Sequence, residues 1–184
     1  MLLAGPALAD HDGDHSPGGL LTRLPILFLL LAAPLAAVTP VGTWTLASAP
    51  DIPAAIDAAT APMNFLVRPF ARSRLRKTNL LYPRILVARN GAEFIIQYAE
   101  RQPIHIPADG SPVFWNREDG EKLILTAHLV GDDLEQTFKA EDGERTNLFH
   151  VDPGSRILKF QVTVRSGRLP GPLTYTIDYR LADQ

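Results

Sequence analysis

Between Pro83 and Leu181, short runs of alternating apolar and polar residues are separated by residues that turn a chain, a period-2 pattern that predicts extended strands. The predicted strands cover residues 84–89, 93–98, 104–106, 113–116, 122–130, 134–140, 145–151, 157–165 and 173–181. Between them fall Asn90-Gly91, Asp109-Gly110, Asp119-Gly120, Gly131-Asp132, Asp142-Gly143 and Pro153-Gly154. Each pair offers the positive φ that tight hairpins need. An earlier strand is expected at Gly42-Thr43-Trp44-Thr45-Leu46. After it, Asp51 caps a helix that starts with Ile52 and Pro53 and runs to about Thr60. A second helical piece over 63–77 follows Pro62, so a helical insert of about 51–77 separates the first strand from the rest.

Hairpin turns fix which residues face each other, so the faces of neighbouring strands must agree. A two-residue turn at Gly131-Asp132 sets Leu129 opposite Leu134, Ala127 opposite Gln136, Leu125 opposite Phe138 and Leu123 opposite Ala140. His128, Thr126 and Ile124 then pair with Glu135, Thr137 and Lys139 on the other face. A turn at Asp142-Gly143 sets Val151 beside Leu134, Phe149 beside Gln136, Asn147 beside Phe138 and Arg145 beside Ala140. Leu158, Phe160, Val162 and Val164 share a face, as do Leu173, Tyr175, Ile177 and Tyr179, and matching them brings Lys159 opposite Asp178. Whether Trp115 points inward is left open by the less regular 113–116 segment.

About nine strands in a meander with one apolar face must close up or be covered, because open strand edges invite aggregation. The expectation is therefore an all-β domain with one or two short N-terminal helices, its antiparallel meander forming a closed or nearly closed barrel over residues 38–184. Gly42-Thr43-Trp44 at the start of such a meander resembles the G-x-W opening of lipocalins. That resemblance implies that Trp44 closes one end of the barrel, that an arginine near the chain end, here Arg180, lies over its indole, and that a small ligand occupies the interior. The stretch from Gly42 to Arg180 also resembles a group of exported bacterial proteins without an established activity. The shared motifs are MNF at 63–65, RLRKTN at 74–79, PADG at 107–110 and REDG at 117–120.

Ahead of this domain, residues 24–38 form an apolar run interrupted by Pro25 and Pro34, preceded by Arg23 and ending in small residues. This is the layout of a signal peptide, and the run is short for a membrane span. Residues 1–37 are accordingly a leader, an acidic tail plus the signal peptide, which implies a periplasmic or secreted protein. Leu35 stands where a small residue is expected two before the cleavage position at Ala37, so an uncleaved inner-membrane anchor is the alternative. His11, Asp12, Asp14 and His15 have metal-ligand chemistry but no periodicity to orient them, and solvated residues lost with the leader are the favoured reading.

Charge changes the picture little overall and sharply in one place. The net charge of −2 supplies no basic field for nucleic acid. Arg68, Arg72, Arg74, Arg76 and Lys77, however, make the densest positive segment in the chain. It suits an anionic membrane surface or an acidic partner, unless it is simply a solvated helix face partly neutralised by Asp57. With no cysteine, thiolate chemistry and disulfides are excluded. His128 and His150, predicted outward near Glu135, give at most a loose two-His, one-carboxylate set, and no motif specifies a reaction, a metal or a cofactor.

The inner face carries the candidate binding residues. Gln136, Asn147 and Arg145 are polar positions among Leu125, Phe138 and Phe149, and buried polar groups require a partner. A small amphipathic or hydrophobic ligand is one such partner, its apolar part against Leu129, Phe149 and Phe160 and its polar or acidic head near Arg145. The competing expectation is a wet rim for Arg145 and Asn147 with water on Gln136. A filled barrel that acts as a cell-envelope interaction module through 68–77 is the alternative to a carrier.

Overall fold

A computed structural model describes residues 39–183 of the chain, so the expectations placed on the leader and on the 11–15 cluster lie outside the described residues. Ten strands follow in chain order with two helices after the first. They are β1 (Gly42–Ser48), α1 (Ile52–Thr60), α2 (Arg68–Thr78), β2 (Arg84–Asn90), β3 (Glu93–Tyr98), β4 (Ile104–Pro107), β5 (Val113–Asn116), β6 (Lys122–Val130), β7 (Asp133–Lys139), β8 (Gly143–Asp152), β9 (Ile157–Ser166) and β10 (Leu173–Leu181). Every strand pair is antiparallel, and the sheet order β4-β3-β2-β1-β10-β9-β8-β7-β6-β5 bends the meander around so that the first strand pairs with the last. β4 and β5 stay unpaired with each other while β4 lies against β6, which makes a nearly closed barrel.

Local chemistry explains the helices. Asp51 accepts the Ala54 amide at 2.9 Å, Pro53 stands in the first turn where its missing N–H costs nothing, and Thr60 returns its hydroxyl to the Ile56 carbonyl at 2.8 Å. α2 starts five residues later than the pattern predicts. A helix from Met63 would place Pro69 in its interior against the Phe65 carbonyl. Asn64 instead accepts the Leu66 amide at 2.9 Å, and Pro69 falls in the first turn of a helix that begins at Arg68.

The core is the inward row of each strand, including Ile85, Phe94, Ile96, Leu125, Leu134, Phe149, Phe160, Ile177 and Tyr179. β6 and β7 pair as expected, with Leu125 opposite Phe138, Ala127 opposite Gln136 and Leu129 opposite Leu134, around Gly131 at φ 64°. β9 and β10 also pair as expected, and Lys159 sits 3.5 Å from Asp178.

The register between β7 and β8 corrects the sequence reading by two residues: Leu134 faces Phe149, Gln136 faces Asn147 and Phe138 faces Arg145. The turn is centred on Glu141 and Asp142, with the Ala140 amide donating to the Gly143 carbonyl at 2.8 Å. A two-residue shift leaves every side chain on its face, so the inner set survives the correction. Gly143 is required for a different reason than turning. A Cβ there would stand 2.8 Å from the Arg165 carbonyl oxygen across the strand pair. Gly143→Ala is expected to cost about 1–3 kcal/mol through this clash, read from the denaturant midpoint; a midpoint equal to the parent protein would show that the β8–β9 backbones are not so close.

Trp44 is buried, but no arginine among the described residues covers it. Its indole N–H donates to the Pro40 carbonyl at 2.8 Å, and Arg180, paired with Thr45, is exposed on the outer face. The reason is strand parity: Tyr179 and Ile177 take the inward positions of β10, which turns Arg180 out.

Candidate functional site

A cavity of about 900 Å³ occupies the barrel interior beneath α2. Met63, Val67, Phe70, Ala71 and Leu75 border it from the helical side. Tyr82 and Tyr98, with ring centroids 5.0 Å apart, form one wall. Trp115, Leu123, Phe138 and Val164 line the cavity as well. The orientation of Trp115 is thereby settled: it points inward and meets the Phe138 ring edge-on at 6.1 Å, leaving its neighbour Phe114 90% exposed.

Charged turns surround the opening. Arg101 reaches Glu118 at 3.5 Å, bridging the β3–β4 and β5–β6 connections beside the unpaired strands. Arg74 of α2 reaches Glu121 at 2.9 Å and Asp142 at 3.3 Å. Arg117 binds both Asp119 and Glu121, and its hydrogen bond holds the Asp119 carboxyl well down, at about 2. Solvent screens such exposed pairs, so they set the shape of the opening more than the stability of the fold.

Inside, polar groups form one connected chain. Arg145 donates from Nε to Asn147 Oδ1 at 2.8 Å and from Nη1 to the Thr78 carbonyl at 2.7 Å. Asn147 Nδ2 donates to the Tyr98 hydroxyl at 3.0 Å and to Gln136 Oε1 at 3.1 Å, and the Tyr98 hydroxyl donates to Gln136 Oε1 at 2.5 Å. Burial pushes the Tyr98 hydroxyl far up, partly offset by the charge of Arg145, so it stays a neutral donor. Burial likewise raises Tyr175 and Tyr179. Gln136 and Asn147 are fully buried, which removes the wet-rim reading for Asn147, and Gln136 Nε2 has no partner among the described residues. Arg145 is half-buried and, among the described residues, forms no ion pair with a carboxylate. A guanidinium with free donors on an apolar-walled cavity is suited to receive an oxyanion.

Of the six interior positions singled out from sequence, Phe138, Arg145 and Asn147 border the cavity. Gln136 lies behind Asn147, and Phe149 and Phe160 are packed in the solid core with ring centroids 4.9 Å apart, outside the lining. Leu129 is exposed near its turn and takes no part. The sequence reading missed Tyr98, Tyr175 and Asn79. Tyr98 was legible, since it continues the inward series Phe94, Ile96 on β3. Asn79, which accepts from the Tyr175 hydroxyl at 3.0 Å, carries no local signal.

The basic segment is largely spoken for. Arg72 meets Asp57 and the Thr60 hydroxyl, each at 3.1 Å, Arg76 also reaches Asp57 at 3.1 Å, and Arg68 donates to the Met63 carbonyl at 2.7 Å. Lys77 is exposed. His150 pairs with Asp133 at 2.7 Å rather than with Glu135, and among the described residues no three His, Cys, Asp or Glu side chains are placed to hold a metal. No helix among the described residues is long and apolar enough to cross a membrane.

No protein-family model matches the chain, and no curated protein matches it in sequence. Solved structures do. One described as "REP1-NXSQ fatty acid transporter" is 16% identical with a TM-score of 0.52, over 78% of this chain and 96% of its own. Fatty-acid-binding protein 1 of Echinococcus granulosus is 12% identical with a TM-score of 0.52, over 78% of this chain and 97% of its own. The likeness is one of fold: like them, the chain forms a nearly closed antiparallel β-barrel.

Proposed function

We propose that this protein carries a small amphipathic ligand in its barrel, with the apolar part between Trp115, Phe138 and Val164 and an acidic head on Arg145. The observation that carries the reading is the half-buried Arg145 guanidinium, which has spare donors and no carboxylate partner among the described residues, on the wall of a cavity otherwise lined mainly by apolar side chains. The cavity volume falls within the range of small-molecule sites. The names of the two similar structures, a fatty acid transporter and a fatty-acid-binding protein, support a hydrophobic ligand. The apolar segment at 24–38 supports export to the periplasm or beyond, or else anchoring to the inner membrane.

Trp115 provides the test, since Trp44 is sealed off by its bond to Pro40. Titration with hexadecanoate is expected to shift Trp emission saturably at one ligand per chain, and Trp115→Phe is expected to abolish the shift. A flat titration together with no bound lipid in native mass spectrometry of the purified protein would remove the carrier reading.

A second reading concerns where the ligand is exchanged. Phe65 and Phe70 are 73% and 77% exposed in the same segment of chain as the exposed Arg76 and Lys77, and Phe70 and Lys77 border one surface hollow, an apolar edge with positive charge nearby that suits an anionic lipid surface. Each charge near such a surface is worth about 1 kcal/mol. Reversing Arg76 and Lys77 to Glu is expected to weaken binding to phosphatidylserine-containing vesicles by about 30-fold or more; an unchanged vesicle affinity in sedimentation would remove the membrane from the account.

A further inference from the structure

α2 covers the cavity with little apolar attachment of its own: Leu75 is the single buried residue among its eleven. Polar ties hold it instead. At its C-terminal end, Arg145 Nη1 donates to the Thr78 carbonyl at 2.7 Å, and the Tyr175 hydroxyl donates to Asn79 Oδ1 at 3.0 Å. Asn79 in turn donates from Nδ2 to the Leu75 carbonyl at 2.8 Å, closing the last turn. The end of a helix bears roughly half a negative charge on its unpaired carbonyls. The same guanidinium that would receive a ligand's acidic head is therefore already the counter-charge for the covering helix.

We propose that Arg145 couples the charge of the bound head group to the attachment of α2, so that an anionic ligand loosens the helix and a neutral one of equal length does not. The inference rests on the carrier reading and assigns its regulation. A carboxylate on the free donors of Arg145 draws on the positive charge that holds the Thr78 carbonyl and sets a second negative group beside it. The two anions compete for one cation, and their binding is antagonistic. Reciprocity then requires that release of α2 tighten the grip on the head group by the same factor. A neutral ligand brings no competing charge, and its chain packs under Leu75 and Phe70, which holds α2 down. Head-group chemistry inside the barrel is thus converted into a change at the exposed Phe65 and Phe70 edge.

Amide hydrogen exchange of the full chain, with hexadecanoate and hexadecanol as probes, tests this. Hexadecanoate is expected to speed exchange at Leu75 to Asn79 about fivefold or more, while hexadecanol slows it. Arg145→Gln is expected to speed exchange there without any ligand and to erase the difference between the two probes. Arg145→Lys, which keeps a point charge but not two separated donors, gives an intermediate result and serves if the Gln variant does not fold. Hexadecanoate that binds by Trp115 emission yet slows α2 as hexadecanol does would overturn the coupling and leave the carrier reading standing. Absence of hexadecanoate binding would remove both. Unchanged α2 exchange in the ligand-free Gln or Lys variant would show that Arg145 is no tether.

Discussion

Replacing Arg145 by Met is expected to weaken hexadecanoate binding by about 10- to 150-fold while leaving hexadecanol within about twofold, because a hydrogen bond to a charged group is worth about 1.5–3 kcal/mol net and each 1.4 kcal/mol is a factor of ten. Met keeps the length and apolar character of the arginine stem, so the comparison isolates the guanidinium. The substitution also removes the donor to the buried Asn147 Oδ1, at 2.8 Å in the parent, which lowers stability by about 1–3 kcal/mol. Binding is therefore compared at a temperature where thermal denaturation shows both proteins folded. Equal weakening for acid and alcohol would mean that Arg145 shapes the wall and does not recognise the head. Equal affinity of parent and variant for the acid would place the head elsewhere.

The largest effect on stability is expected at Phe160. Its side chain is 1% exposed and stands opposite Phe149 on β8 and Ile177 on β10. Its ring lies 4.9 Å from that of Phe149, 6.1 Å from Tyr179 and 6.2 Å from Tyr98, so it joins the two sides of the barrel. Truncation to Ala removes this transfer free energy and opens a hole the strands cannot collapse around, a loss of about 3–5 kcal/mol. Against a total stability of about 5–15 kcal/mol this is a large fraction. Chemical denaturation reads it directly. Phe160 does not line the cavity, so the fraction that remains folded is expected to bind hexadecanoate nearly as the parent does. A cost below about 1 kcal/mol would show that this layer is loosely filled.

The contrast between Phe160 and Arg145 also marks how far the sequence carries. Alternation and turn residues were enough to place Phe160, Leu125 and Phe138 on one face, because parity alone decides a side of a sheet. Parity does not say how far along the barrel a residue sits. Phe149 and Phe160 were therefore expected in a pocket and lie in solid core, while Trp115, three inward rows away by the register from β5 to β8, lines it. The β7–β8 register slipped by two for the same kind of reason: Gly143 looked like a turn residue, and its need arises from the Arg165 carbonyl on a strand that local pattern does not see. Arg180 failed as a cover for Trp44 by parity, which the alternation on β10 already contained. The polar chain from Gln136 to Arg145 was legible as a set of inward polar residues. Its partner Thr78, and the neighbouring Asn79 that accepts from Tyr175, were not, since they reach the interior only through the way α2 folds over the barrel.

One measurement bears most directly on the claim that this barrel holds an amphipathic acid by a single interior arginine: a crystal structure of the protein grown with hexadecanoate. The expected result is a carboxylate within hydrogen-bond distance of the Arg145 guanidinium and an acyl chain running past Phe138 and Trp115. Side chains closing the interior with no room for the acid, or a chain bound with its carboxylate away from Arg145, would contradict it.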